Sequence, residues 1–197
     1  TRIMVGSEVL TPDANKVYTL YMPDEDVTIN GEFVALTQWV GKGTKIDPYI
    51  INSVDDWNKL VLRHHDYGHF YALNADITID KSVGSSEYPF KGDFNGNGHT
   101  ITLACTEDTG KTAPFCFVGG NASIHDLKID GSITTNKQSV AGIISCQRGG
   151  TVEIEYCRVS AELNMSYYYE GKHGGFVGAV ADGANLTILG CVFDGKI

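Results

Sequence analysis

The sequence predicts an all-β solenoid in which each coil stacks its strands on the next, and three observations support this. A ten-residue pattern recurs without a gap at 124–133, 154–163 and 188–197. Each copy alternates apolar and polar residues over short segments rich in β-branched side chains, which is typical of half-buried strands. No long segment between the copies has helical periodicity. Self-similarity at a period of about 20–50 residues indicates a solenoid, and the alternation indicates strands.

Four apolar columns of the repeat predict which side chains face the core. Their members are Ile124, Ile154 and Ile188; Leu127, Cys157 and Cys191; Ile129, Val159 and Phe193; and Ile133, Leu163 and Ile197. The in–out–in strand at 127–129 also matches 101–103 and 77–79, which predicts five coils spaced by 24, 26, 30 and 34 residues. One coil buries too little apolar surface to offset the entropy of ordering its backbone, so the coils must share a continuous core.

Two different pieces are predicted before the coils. Residues 1–35 read as the end of a small β repeat, because 17–33 alternates, turns at 23–26 and alternates again. Residues 36–69 read as a linker and N-terminal cap, with an amphipathic helix near 54–63 capped by Ser53. Such a helix would cover the open end of the first coil. The coils at 70–197 are predicted to be truncated at the C terminus, since the sequence stops at the end of a repeat block.

Composition narrows the classes of partner. The chain has 197 residues, a net charge of −9 and no basic run, which disfavours nucleic acid and anionic membranes. No apolar stretch is long enough to insert into a membrane.

The five cysteines are an odd number. Cys157 and Cys191 fall in one column of neighbouring coils, where parallel side chains suit stacked, buried thiols better than a disulfide.

Glycine-rich and cysteine motifs carry a resemblance to a known family. Gly-Gly-Phe-Val-Gly at 174–178 precedes Cys-Val-Phe-Asp-Gly at 191–195, and 141–145 with Cys157 is a looser copy. Over about residues 41–197 the chain resembles the parallel β-helix modules of bacterial surface and secreted proteins that carry the GLUG motif. It departs from that family before each cysteine, where Tyr156 and Gly190 replace an asparagine. Separately, 18–33 resembles the end of an internalin B-repeat.

The resemblance implies a right-handed single-stranded parallel β-helix of pectate-lyase type in an extracellular or cell-surface bacterial protein with neighbouring modules. It leaves two classes of function open. The first is a non-catalytic adhesin, stalk or glycan-binding platform. The second is a polysaccharide-active enzyme, either a lyase or a glycoside hydrolase, or an accessory module of a secreted protease. The first is favoured because the outward columns show no convergent acid/base set, so no catalytic residue and no cofactor is predicted.

Two groups of residues are candidate ligand-binding sites. The consecutive aromatic residues Tyr167, Tyr168 and Tyr169 offer flat faces to a sugar ring or a partner protein, unless they merely pack on the coil wall. Lys128 and Arg158 share an outward column on neighbouring coils. In β-helix lyases, basic residues on such a face bind uronic acids, whereas the alternative is ordinary cross-strand charge pairing. A glycan or a host or cell-surface protein is therefore the expected partner.

Three further motifs are weaker, and no metal site is predicted. Residues 93–98 match the first half of a calcium loop, but Ala104 stands where the bidentate glutamate belongs, which favours a tight turn. The histidine-rich 64–69 segment is better explained by a helix end than by zinc. Residues 109–112 imitate a phosphate loop, but Cys105 replaces its first glycine.

Overall fold

The computed structural model describes residues 2–5, 8–10, 29–32, 38–105, 113–136, 139–166 and 172–197. The chain divides into two compact units, Thr1–Gln38 and Trp39–Ile197. In the first unit, the strand Arg2–Val5 pairs antiparallel with Glu8–Leu10 and with Ile29–Glu32. The turn predicted at 23–26 lies outside the described residues.

Parallel sheets dominate the described part of the second unit. The first sheet contains the strands Tyr49–Ile51, Phe70–Leu73, Asp93–Asn95, Asn121–His125, Thr151–Glu155 and Asn185–Leu189. The second sheet contains Ile77–Ile79, Thr100–Cys105, Lys128–Thr135, Arg158–Val159, Glu162–Met165 and Val192–Phe193. The third sheet contains Phe115–Val118, Ile144–Gln147 and Val177–Val180, and a separate pair joins Ser139–Ala141 to Lys172–Gly174.

Neighbouring strands in each sheet come from successive passages of the chain. In the first sheet, one column of aligned residues runs through Tyr49, Tyr71, Phe94, Ile124, Ile154 and Ile188. In the second sheet, Ile129, Val159 and Phe193 align in the same way. The all-β class and the parallel strands are thus as predicted, and the arrangement is compatible with a parallel β-helix.

The predicted register is wrong at one position in the second sheet. Ile129 pairs with Ile101, so this spacing is 28 residues and not the predicted 26, and Lys128 lies opposite Thr100. The reason is Gly131, which takes the place opposite Leu103 and contributes no side chain to the apolar pattern. The apolar alternation of 101–103 is therefore matched best by 127–129, which lies two residues before the segment 129–131 that pairs with it. A slip of two residues keeps every side chain on its predicted face, because the period of a strand is two.

A short helix packs on the core, and in the sequence it precedes the strands of the second sheet. It spans Val54–Leu62, where the sequence predicts a helix near 54–63, and the Ser53 hydroxyl accepts a hydrogen bond from the Asp56 N–H at 3.3 Å. Trp57 is fully buried, with its ring centroid 5.9 Å from that of Phe94 and 5.6 Å from that of Phe115. The helix thus joins its apolar face to the core formed by the sheets.

Cys157 and Cys191 are free thiols. The Cys157 sulfur lies 3.6 Å from the Ile124 carbonyl oxygen, and the Cys191 sulfur lies 3.5 Å from the Ile154 carbonyl oxygen. These equivalent positions stack the two thiols in successive passages of the chain, as predicted. Burial raises the pKa of the Cys157 thiol to about 12, so it stays protonated and apolar at neutral pH.

Candidate functional site

The two predicted ligand-binding groups have different outcomes in the structure. Tyr167, Tyr168 and Tyr169 lie outside the described residues, which end at Ser166 and resume at Lys172. Lys128 and Arg158 are neighbours across the second sheet, as predicted. The predicted match of 127–129 to 101–103 places Thr102 beside Lys128, but Thr102 pairs with Asp130.

Arg158 is engaged by groups on its own face. Its guanidinium forms an ion pair with Asp194, and the other Asp194 carboxylate oxygen accepts a hydrogen bond from Ser160 at 2.8 Å. These contacts, first that with Ser160 and then that with Arg158, lower the pKa of Asp194. This is ordinary cross-strand charge pairing, the predicted alternative to a uronate site, and at an exposed position it adds little stability.

The predicted turn at 93–98 is also present. Asn97 has a φ of 50°, and its backbone N–H donates to the Asn95 side-chain oxygen at 2.8 Å. The Asn97 amide donates to the Leu73 carbonyl at 2.9 Å, so the asparagines stabilise the turn. The 64–69 segment begins with the 3₁₀ turn His64–Asp66. In the described ranges, no group of three or more His, Cys, Asp or Glu side chains is arranged to hold a metal ion.

A cavity of about 330 Å³ lies over the outer face of the first sheet. We call it the outer groove, and it is lined by Lys45, Pro48, Phe70, Tyr71, Ala72, Asp93, Asn95, Ser123, His125 and Glu155. Its volume falls at the lower end of the range for small-molecule sites, about 300–1,000 Å³. None of these residues was predicted as a ligand contact from the sequence.

Strand geometry explains why these side chains converge. Phe94, Ile124 and Ile154 face inward and are fully buried, so the residues on either side of them face outward. One outward column contains Phe70, Asp93, Ser123 and Glu153, and the next contains Ala72, Asn95, His125 and Glu155. The parallel register therefore assembles the groove from segments that are far apart in the sequence.

His125 lies between two carboxylates on this face. Its Nε2 atom is 3.3 Å from Asp93 Oδ1, and its Nδ1 atom is 2.8 Å from Asp126 Oδ2. The hydrogen bond to Asp93 is the main reason that the pKa of His125 rises to about 9; desolvation opposes the rise, and Asp126 adds to it. The imidazole is therefore positively charged at neutral pH, and a carboxylate holds each of its ring nitrogens.

Glu155 differs from His125 in having no such partner. It lies directly across from His125 in the parallel ladder and is half-buried. Among the described residues, no hydrogen-bond donor or cation pairs with its carboxylate, and the Ser123 hydroxyl is likewise without a hydrogen bond. The groove thus offers unused polar groups beside the apolar surfaces of Phe70 and Pro48. Such a combination suits a ring-shaped ligand that carries hydroxyl groups.

The pairing of His125 with Asp93 and Asp126 predicts that the stability of the protein depends on pH. The folded pKa of about 9 is higher than the ordinary value of 6.5, so the extra stability is fully present below 6.5 and is lost as the pH rises through 9. We therefore expect His125→Gln to lower the free energy of unfolding more at about pH 6 than at about pH 10. Urea unfolding at both pH values measures this difference. Equal losses at the two pH values would contradict the proposed charge on His125.

Comparisons with known proteins give one partial similarity. No family model matches the chain, and no solved structure matches it. The chain is 27% identical over 160 residues to Halomucin from Haloquadratum walsbyi (strain DSM 16790 / HBSQ001). The aligned segment covers 73% of this chain and 2% of Halomucin, so the chain spans a very small part of that protein. Neither helix in the described residues has the length and apolar character needed to cross a membrane.

Proposed function

We propose that Trp39–Ile197 is a right-handed single-stranded parallel β-helix whose N-terminal end is capped by the helix Val54–Leu62. The support is the parallel pairing of successive passages in three sheets, together with a core that continues from Trp57 to Leu163. The GLUG-like motifs at 141–145 and 174–178 favour the same architecture. A coil of such a fold is stabilised by its neighbours, which suits a rigid, extended platform.

This platform is a non-catalytic extracellular module of a larger bacterial surface protein, and it binds a glycan in the outer groove. The observation that carries the proposal is the groove itself, where unpaired polar groups lie beside Phe70 and Pro48 on a rigid sheet. The similarity to 2% of a much longer protein supports a modular role. The ion pair of Arg158 with Asp194 favours binding over lyase chemistry, because it occupies a candidate uronate contact.

A glycan array with the purified 197-residue chain tests this proposal. We expect at least one class of glycan to bind, and Glu155→Gln to weaken that binding about tenfold, because a charge-assisted hydrogen bond is lost. Glu153→Gln is the matched control, since it removes the same charge from an exposed position on the same strand outside the groove. The control should bind like the wild type.

A third variant distinguishes binding in the groove from binding at the three consecutive tyrosines. Replacing Tyr167, Tyr168 and Tyr169 together with alanine should leave binding intact if the groove is the site. Loss of binding in this variant alone would move the glycan site to the tyrosines. If no glycan binds the wild-type chain, the glycan-binding proposal is wrong, and a stalk or protein-binding adhesin becomes the better account.

A further inference from the structure

We infer that the outer groove selects saccharides that carry a free amino group over neutral and acidic saccharides. This inference rests on the proposed function, because it assigns a ligand class to the same groove. It depends on three features of the described residues. These are the excess of carboxylates around the groove, the compensation of the His125 charge by carboxylates of the protein, and the unpaired Glu155 carboxylate.

Carboxylates outnumber cations in and around the groove. Asp93 and Glu155 line it, and Asp126 contacts His125 from beside it. Against these three acids stand two cations, His125 and Lys45. The chain as a whole also carries a net charge of −9, so its overall charge does not favour an anionic ligand. An acidic sugar would therefore enter a region of like charge.

The positive charge of His125 is already compensated within the protein. Asp93 and Asp126 lie 3.3 Å and 2.8 Å from its two nitrogens, so both ring N–H groups have carboxylate acceptors. A uronate or sulfate would have to displace one of these acceptors to pair with the imidazole. The other cation, Lys45, is exposed at the rim, where solvent and salt screen its interactions.

Glu155 has the free acceptor that an ammonium group requires. Its carboxylate has no hydrogen-bond donor or cation as a partner among the described residues, and it is half-buried. A hydrogen bond between ammonium and carboxylate is about twice as strong as a neutral one, and partial burial strengthens it further. Phe70 and Pro48 supply apolar contacts for the ring, while Ser123 and Asn95 supply polar contacts for its hydroxyl groups.

Three oligosaccharides of similar size test the inference. The probes are a β-1,4-linked glucosamine tetramer, its fully N-acetylated counterpart and a tetragalacturonate, titrated calorimetrically at about pH 6 in physiological salt. We expect the glucosamine tetramer to bind about tenfold more tightly than the acetylated one, and the galacturonate to bind most weakly. Glu155→Gln should remove most of this preference, and Glu153→Gln should retain it.

The outcomes separate this inference from the proposed function. If the acetylated tetramer or the galacturonate binds at least as tightly as the glucosamine tetramer, the inferred preference is wrong and glycan binding stands. If Glu153→Gln removes the preference as fully as Glu155→Gln, the preference comes from general surface charge, and the inferred contact is wrong. If none of the three probes binds and the glycan array is also blank, the proposed function itself fails.

Discussion

Trp57→Ala is expected to lower the free energy of unfolding by about 3–5 kcal/mol, the usual cost of truncating a large buried aromatic side chain. The indole is fully buried, contacts the rings of Phe94 and Phe115, and donates a hydrogen bond to the Lys81 carbonyl at 2.8 Å. Its removal leaves a cavity between the helix and the sheets and an unpaired carbonyl. Urea unfolding followed by far-ultraviolet circular dichroism measures the loss.

Leu62→Ala is the control for this substitution. Leu62 lies at the end of the same helix and its side chain is 66% exposed. We expect a change within about 0.5 kcal/mol, as for most surface positions. Similar losses for the two variants would contradict the account of the helix as a cap whose buried face completes the core.

Gly131→Ala is expected to have the second large effect. Gly131 has a φ of 87°, which disfavours any residue with a β-carbon, and an added β-carbon would lie 2.3 Å from the Leu103 carbonyl oxygen. That oxygen belongs to the backbone of the neighbouring parallel strand and cannot rotate away. The substitution must therefore separate two paired strands of the second sheet. We expect a loss of at least about 3 kcal/mol in unfolding free energy.

Gly98→Ala separates the two contributions to this loss. Gly98 has a similar φ of 76°, but no atom lies within 4 Å of the position that its β-carbon would take. Its substitution should cost only the backbone strain, about 1–2 kcal/mol. If thermal and urea unfolding show equal losses for Gly98→Ala and Gly131→Ala, the close approach of the two paired strands at Gly131 is not as described.

The sequence was sufficient to predict the class of fold because the repeat constrains it strongly. The columns through Ile124, Ile154 and Ile188 and through Ile129, Val159 and Phe193 are found in the structure as predicted. The register around Gly131 was not predictable in this way, since a glycine leaves a gap in the apolar pattern. A period-two pattern constrains the face of a side chain well and the register along the strand poorly.

The outer groove could not be predicted for a related reason. Asp93, His125 and Glu155 are separated by about thirty residues at each step, and each is an ordinary outward residue within its own strand. Only the pairing of Asn95 with His125 and of His125 with Glu155 places them on one surface. The sequence instead directs attention to locally dense motifs such as the three consecutive tyrosines and the 64–69 segment.

The most direct test of the outer groove as the binding site is to locate the ligand on the protein. Amide ¹H–¹⁵N spectra of the 197-residue chain would be recorded during titration with the glycan that binds best on the array. We predict chemical-shift changes centred on Asp93, Ser123, His125 and Glu155, with Lys128 and Arg158 unaffected. Changes confined to residues 164–173, or to the second sheet around Lys128 and Arg158, would contradict the assignment of the outer groove as the binding site.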